Sequence, residues 1–305
     1  MFIRNNFLFL VVLLAIVFAF AMKATVFQNL STTTSPSVEP SEPFKNYWYA
    51  GKAELNSYTL EQARYGNMHS GDAVLIFVTE DFRTDKQVKL ESDKKETATS
   101  ILKMNALRRF VTGIYDYSVM TSVFSPVDTK LFPHALKVSA SAQDWCGHSY
   151  TQLNLHNRKY EVERKSYFEN EVQEDFEIDR VWLEDELWTR LRMNPEKLPT
   201  GEVQIVPSVQ EARLRHKKIA PETAQAQLDS ADVSSQKYSL KYADRELSIR
   251  FNRQFPHQIL GWEDTYQQNG KRLTTKATLK KTILSDYWSK HDPMHVSLRD
   301  SLGLL

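Results

Sequence analysis

The chain reads as mainly β: a large curved antiparallel sheet, whole or in two lobes divided near residue 197, with one central helix and a short C-terminal helix. Three observations predict this. Short runs rich in aromatic and β-branched residues follow one another with brief connections, the pattern of an antiparallel meander rather than of βαβ winding. Only one internal segment carries a strong helical period. The 16 Phe, 13 Tyr and 6 Trp, set against 9 Gly and 11 Pro, favour a packed core over long glycine-rich loops.

Each element has its own signal. Residues 46–55 and 71–80 are too short for buried helices and rich in strand formers, so both read as strands. Between them Tyr58, Leu60 and Gln62 alternate with polar neighbours, and the stretch from Gly66 to Gly71 supplies a turn. Residues 102–111 and 115–124 continue the pattern across Gly113, followed by 135–142, 149–156 and 160–168, with a hairpin turn at 156–159. The helix comes next. Asp179 caps it, Val181, Leu187, Trp188 and Leu191 share one face, and Asn194-Pro195 ends it. Glu184, Asp185 and Glu186 lie early and Arg190 and Arg192 late, as the helix dipole prefers, and the acidic run reads as a solvated face. Strands return at 202–206, 223–228, 237–242, 246–251, 258–266 and 273–284, with turns at 243–245 and 268–270. A final helix over 285–304 is kinked or broken by Pro293.

Ahead of this domain, assigned to residues 44–305, stands an export signal. Arg4 precedes a 16-residue apolar run from Phe7 to Met22, which either is cleaved after Ala19-Phe20-Ala21 or stays in the bilayer. The run is short of the ~20 residues that usually span a membrane, though shorter spans occur. Residues 23–43 form a Pro/Ser/Thr-rich linker that cannot bury enough surface to order itself. The chain is therefore expected to be exported and periplasmic, soluble or tethered to the inner membrane, with residues 7–22 in membrane contact if uncleaved. Asn29-Leu30-Ser31 matches the short glycosylation sequon.

Composition excludes several function classes. Removing residues 1–21 takes away Arg4 and leaves 38 basic and 38 acidic residues, without the basic excess of a nucleic-acid binder. A single cysteine, Cys146, rules out an intramolecular disulfide framework and lies too far from the signal for a lipoprotein. The spacing Gly66–Gly71 matches a P-loop, but Asp72-Ala73 follows where Lys and Ser/Thr are required. No GxGxxG or GxSxG occurs, and no pattern calls for a cofactor. His291 and His295 are four apart, yet Pro293 between them spoils a helical metal motif.

Two clusters carry candidate chemistry. In an extended strand Asp144, Cys146 and His148 would share one face, a thiol beside an imidazole and a carboxylate, the ingredients of a thiolate nucleophile. Neighbours two apart on a strand sit ~6–7 Å apart, so a bulge at Gly147 would be needed to join them. The competing reading is a buried cysteine packed beside Trp145. Arg213, Arg215 and Lys217 alternate within the most basic stretch and on a strand would form a face for an anionic head group or glycan, or simply a lysine-protected edge.

Trp48-Tyr-Ala-Gly51, Gln62-Ala-Arg-Tyr-Gly66, Val78-Thr-Glu-Asp-Phe82, Thr112-Gly-Ile-Tyr115, Asp144-Trp-Cys-Gly-His148, Leu183-Glu-Asp-Glu-Leu-Trp188, Arg213-Leu-Arg-His216 and Ser285-Asp-Tyr-Trp288 resemble segments of an uncharacterised family of bacterial envelope proteins. Its members often carry the label "septum formation inhibitor Maf". True Maf pyrophosphatases have a Ser-Pro-Arg-Arg signature; here Ser35-Pro36 is followed by Ser37-Val38, so the resemblance brings no Maf chemistry. Two functions of different class are expected. The first is a non-catalytic envelope protein binding a lipid, glycan or envelope protein on a curved β-sheet. The second is an exported thiol-dependent hydrolase or transferase using Asp144, Cys146 and His148.

Overall fold

A computed structural model describes residues 39–92, 95–171, 174–268 and 270–304. The apolar run, most of the linker and Asn269 of one expected turn lie outside the described residues. Among the described residues, no helix is long and apolar enough to cross a membrane.

The chain folds as one sheet of 16 strands around a central helix. Helix α1 (Glu42–Trp48) leads into strands β1 (Ala53–Arg64), β2 (Asn67–Arg83), the short β3 (Val88–Lys89), β4 (Ala98–Thr112), β5 (Tyr115–Pro126), β6 (Lys137–Asp144), β7 (Gly147–His156), β8 (Lys159–Ser166) and β9 (Glu174–Asp179). Strand β10 (Trp182–Leu183) then feeds helix α2 (Glu184–Met193), followed by β11 (Gly201–Val206) and helix α3 (Val209–Leu214). The strands β12 (Glu222–Ser230), β13 (Ser235–Lys241), β14 (Arg245–Asn252), β15 (Ile259–Gln268) and β16 (Lys271–Ser285) complete the sheet, and helix α4 (Leu298–Ser301) ends the chain. The strand order runs β10–β11–β12–β13–β14–β15–β16–β1–β2–β4–β5–β6–β7–β8–β9, with β3 on the end of β2. Every pairing is antiparallel except β10 with β11. Strands from both sides of residue 197 share this sheet, joined through β16 and β1.

The two edge strands, β9 and β10, are separated only by Arg180 and Val181. Three Cα steps span at most about 11 Å. The sheet therefore curls until its edges lie side by side, without hydrogen bonds closing it, and α2 enters the interior directly from the edge. Residues 184–192 are all buried. This corrects the expected solvated face on Glu184, Asp185 and Glu186. The helix starts at Glu184, not after an Asp179 cap, because residues 174–179 pair with β8. The Glu186 carboxylate reaches back to the Leu183 amide at 3.1 Å, satisfying a first-turn donor.

Inside the curl the walls supply matching side chains. Period-two alternation places Glu54, Tyr58 and Leu60 of β1 inward, and Trp262, Asp264 and Tyr266 of β15 likewise. Arg192, fully buried, donates to both Glu54 oxygens at 2.6 and 2.7 Å and to the Pro256 carbonyl at 2.8 Å. Its guanidinium lies 5.0 Å from the Trp48 ring centroid and 4.6 Å from that of Phe77. Tyr47 also donates to Glu54. Burial pushes the Glu54 carboxyl up, but Arg192, with Tyr47 and Asn56, outweighs it and holds the group below its ordinary value.

Other expectations are revised. The N-terminal part of 46–55 is helical: Pro43 opens α1, and Phe44 and Trp48 are buried one turn apart. The first turn is not the Gly66–Gly71 stretch but Tyr65-Gly66 alone, both at positive φ, as a two-residue hairpin requires. Gly71 is needed for another reason, since a Cβ there would overlap the Arg109 carbonyl of β4. The terminal helix breaks into 3₁₀ turns at Tyr287–Ser289 and Pro293–His295 and the single turn α4. After it Leu302 packs on Ala53, Leu55 and Val78, covering the outer face of β1.

Removing one partner of the Arg192–Glu54 pair strands a buried charge. Arg192→Met is expected to lower unfolding stability by about 3–5 kcal/mol in urea titration. Adding Glu54→Gln should cost clearly less than the sum of the two single changes.

Candidate functional site

Asp144, Cys146 and His148 do not share a strand face. Asp144 ends β6, Gly147 begins β7, and Trp145-Cys146 is the two-residue hairpin turn between them. The Asp144 Oδ1 accepts the Cys146 amide at 2.6 Å, so the carboxylate caps the turn rather than orienting a base. Cys146 is exposed, His148 is exposed, and the three side chains make no hydrogen bond with one another. The competing expectation of a buried cysteine also fails: Trp145 is 69% exposed. Gly147 serves packing, since a Cβ there would collide with Tyr167.

The basic stretch is not a strand face. Arg213 lies on α3, Arg215 caps it and Lys217 follows. Arg213 donates to Ser149 at 2.9 Å and Glu171 at 3.1 Å, with the Phe168 ring centroid 4.5 Å away. Arg215 and Lys217 both donate to Asp244, at 3.1 and 2.7 Å. Each cation has an internal carboxylate partner, and together they fasten α3 over one end of the curled sheet. Arg64, at the end of β1, donates to the Leu214 carbonyl of the same helix.

Beneath α3 lies the charged interior. Arg245 donates to both oxygens of Glu184, at 2.6 and 2.7 Å, and to both of Asp264, at 2.7 and 2.8 Å. Tyr242 donates to Glu184 at 2.6 Å, and Arg108 to Glu211 at 2.7 Å. Asp185 accepts the Val209 amide at 3.0 Å. Burial, reinforced by Glu184, pushes the Asp185 carboxyl up to about 6 against the Val209 amide. Burial likewise raises Asp264 to about 6, with Arg245 opposing and Glu211 adding. Glu211 goes the other way: burial raises it, but Arg108 and Arg245 outweigh that and lower it. Of these, Arg108, Glu184, Asp185, Arg245 and Asp264 line a cavity of about 30 Å³ together with apolar side chains such as Leu75, Met104 and Trp262. Among the described residues, no three His, Cys, Asp or Glu side chains are grouped to hold a metal ion.

One rim of the sheet carries a group of exposed large side chains. Because β1, β2 and β4–β8 alternate in direction, the β1–β2, β4–β5 and β6–β7 turns and the end of β8 fall on the same rim. These neighbouring tips expose Tyr65 at 51%, Ile114 at 80%, Trp145 at 69% and Tyr167 at 75%. The Tyr65 hydroxyl bonds those of Tyr117 at 2.7 Å and Tyr115 at 3.3 Å, tying the first two tips together. A hollow of about 670 Å³ beside them is lined by Asp72, Arg109, Phe110, Val111 and Asp116 among others.

Compared with protein-family models, curated proteins and solved structures, the chain matches none.

The interior groups escaped detection by motif because they come from distant segments. Strand parity was the signal that could have found them: Asp264 shares a face with Trp262 and Tyr266, and Glu54 with Tyr58 and Leu60, an alternation that points both carboxylates to the core although neither was singled out. Gln210 on α3 carried no such signal.

Two outcomes follow from this geometry. Cys146 should react fully with a thiol reagent in the native protein, and Cys146→Ser should change stability by less than about 0.5 kcal/mol. Asp185, raised in the fold above its unfolded value near 3.9, binds more protons folded than unfolded between about pH 4 and 6. Its contribution to stability is fully present below about pH 4 and lost as pH rises through about 6. Asp185→Asn, which keeps an acceptor for the Val209 amide, should stabilise the protein at pH 7.5 relative to pH 4.5 by about 2 kcal/mol in paired urea titrations.

Proposed function

We propose that this is an exported, non-catalytic envelope protein that docks a partner protein through its aromatic rim. The carrying observation is the exposure of Tyr65, Ile114, Trp145 and Tyr167 on adjacent tips. Tyrosine and tryptophan are enriched at the energetic centres of protein interfaces, and four large side chains on one rim exceed scattered surface exposure. The nearby hollow gives a partner side chain a place to anchor.

The charges favour a protein over the other expected ligands. Asp116 and Glu169 are exposed beside Ile114 and Tyr167, and the half-buried Asp144 precedes Trp145. Carboxylates at these tips oppose approach to an anionic lipid surface. The concave side of the sheet, where an acyl chain or sugar was expected to lie, is filled by α2, and its cavity of about 30 Å³ has room for about two waters. The expected thiol chemistry draws no support from a cysteine whose neighbouring carboxylate is spent on capping its own turn.

The test is site-specific photocrosslinking in the intact protein in its host envelope. A crosslinker replacing Trp145 should capture one discrete protein, and one replacing Arg158, on the opposite rim, should not. With that protein purified, Ile114→Ser and Tyr167→Ala should each weaken binding at least tenfold, the ~1.4 kcal/mol or more expected of an interface anchor. Equal capture from both rims, no capture, or lipid or glycan adducts alone would overturn the proposal.

A further inference from the structure

The cavity under α3 has a hydrogen-bonding requirement that its own walls do not meet. Gln210 is 3% exposed and lines it, and among the described residues neither its amide oxygen nor its amide nitrogen has a partner. Trp262, also 3% exposed, lines the same cavity from β15, and its indole N–H is likewise without a partner among the described residues. A buried polar group left unsatisfied is costly, so three such atoms on two residues lining one space are a strong demand for a guest.

The chemistry of that guest is narrowly set. It must accept from the Trp262 indole and the Gln210 nitrogen and donate to the Gln210 oxygen. A metal or ammonium cation cannot accept a hydrogen bond, and Arg108 and Arg245 already stand at the wall as cations. An anion would face Glu184, Asp185 and Asp264. An apolar guest would leave all three atoms unsatisfied. Glu184, Asp264 and Glu211 are engaged by arginines and so compete little for the guest. The volume, about 30 Å³, corresponds to about two waters at ~10–15 Å³ each.

We infer that this cavity is a binding site for amphiprotic guests of water's size, two hydrogen-bonded waters, that bridge Gln210 on α3 to Trp262 on β15. The bridge adds a buried tie between α3 and the sheet, beside the Arg108–Glu211 pair and the Val209 amide bond to Asp185. It gives Gln210 a reason to point inward on a six-residue helix whose other ties to the wall are ion pairs and the buried Val209, Ala212 and Leu214.

Water-selective nuclear Overhauser measurements on the intact protein with labelled tryptophan test this, the Trp262 indole being assigned by its disappearance in Trp262→Phe. The expected result is a cross-peak from the Trp262 indole N–H to long-lived water. It should be lost in Gln210→Leu while the other indole signals stay in place. Xenon is the counter-probe: a hydrated polar cavity excludes it, so the Met104 methyl signal should not move under xenon pressure. No water contact at the Trp262 indole, or a xenon-induced shift at Met104, would overturn the inference. The wild-type measurement stands even if Gln210→Leu does not fold.

Discussion

The structure depends on matching the buried charges of α2 to the walls of the sheet that encloses it. Along ten residues the helix sends Glu184 to Arg245, Glu186 to the Ala135 amide and His134, Arg190 to the Phe132 carbonyl and Arg192 to Glu54. Those partners sit on β14, the β5–β6 connection and β1, well separated around the curl. Such pairs add little net stability over a hydrophobic alternative, because desolvating the charges costs about as much as their attraction returns. What they enforce is register. A helix rotated or slid by one turn would strand several charges at once, so one placement of the helix is favoured far above its neighbours.

The apolar part of the core follows from that placement. With α2 held, Trp188 meets Trp262 edge-on at 5.2 Å, and Trp262 in turn lies 4.9 Å from Tyr58, linking helix, β15 and β1 in one aromatic cluster. Apart from the small cavity under α3 the interior is thereby filled, and Tyr65, Ile114, Trp145 and Tyr167 are left exposed on the rim. Helix α3 belongs to both regions. Its inner face carries Gln210 and Glu211 into the charged interior, and its far end brings Arg213, Arg215 and Lys217 to carboxylates near the tips.

Much of this was readable from the chain alone. Alternating side chains located nearly all of the long strands, and short turn signals such as Gly113 and Asn157 located their hairpins, because strand period and turn chemistry are local properties. The existence of α2 was also legible, from Leu187, Trp188 and Leu191 on one face and Asn194-Pro195 behind them. The nature of its polar face was not. Glu184-Asp185-Glu186 followed by Arg190 and Arg192 looks the same whether solvent or a ring of partners surrounds it, since the helix dipole favours that order in both settings. The partners lie 50 to 140 positions away, and only closure of the sheet brings them near. The same holds for residues 144–148 and 213–217. Their residue types suggested a nucleophile and an anion site, but backbone geometry turned the first into a hairpin tip and helix α3 paired the second with acids. Local chemistry determined which elements form and where they stop; long-range pairing decided which charges are buried and which aromatics are left outside.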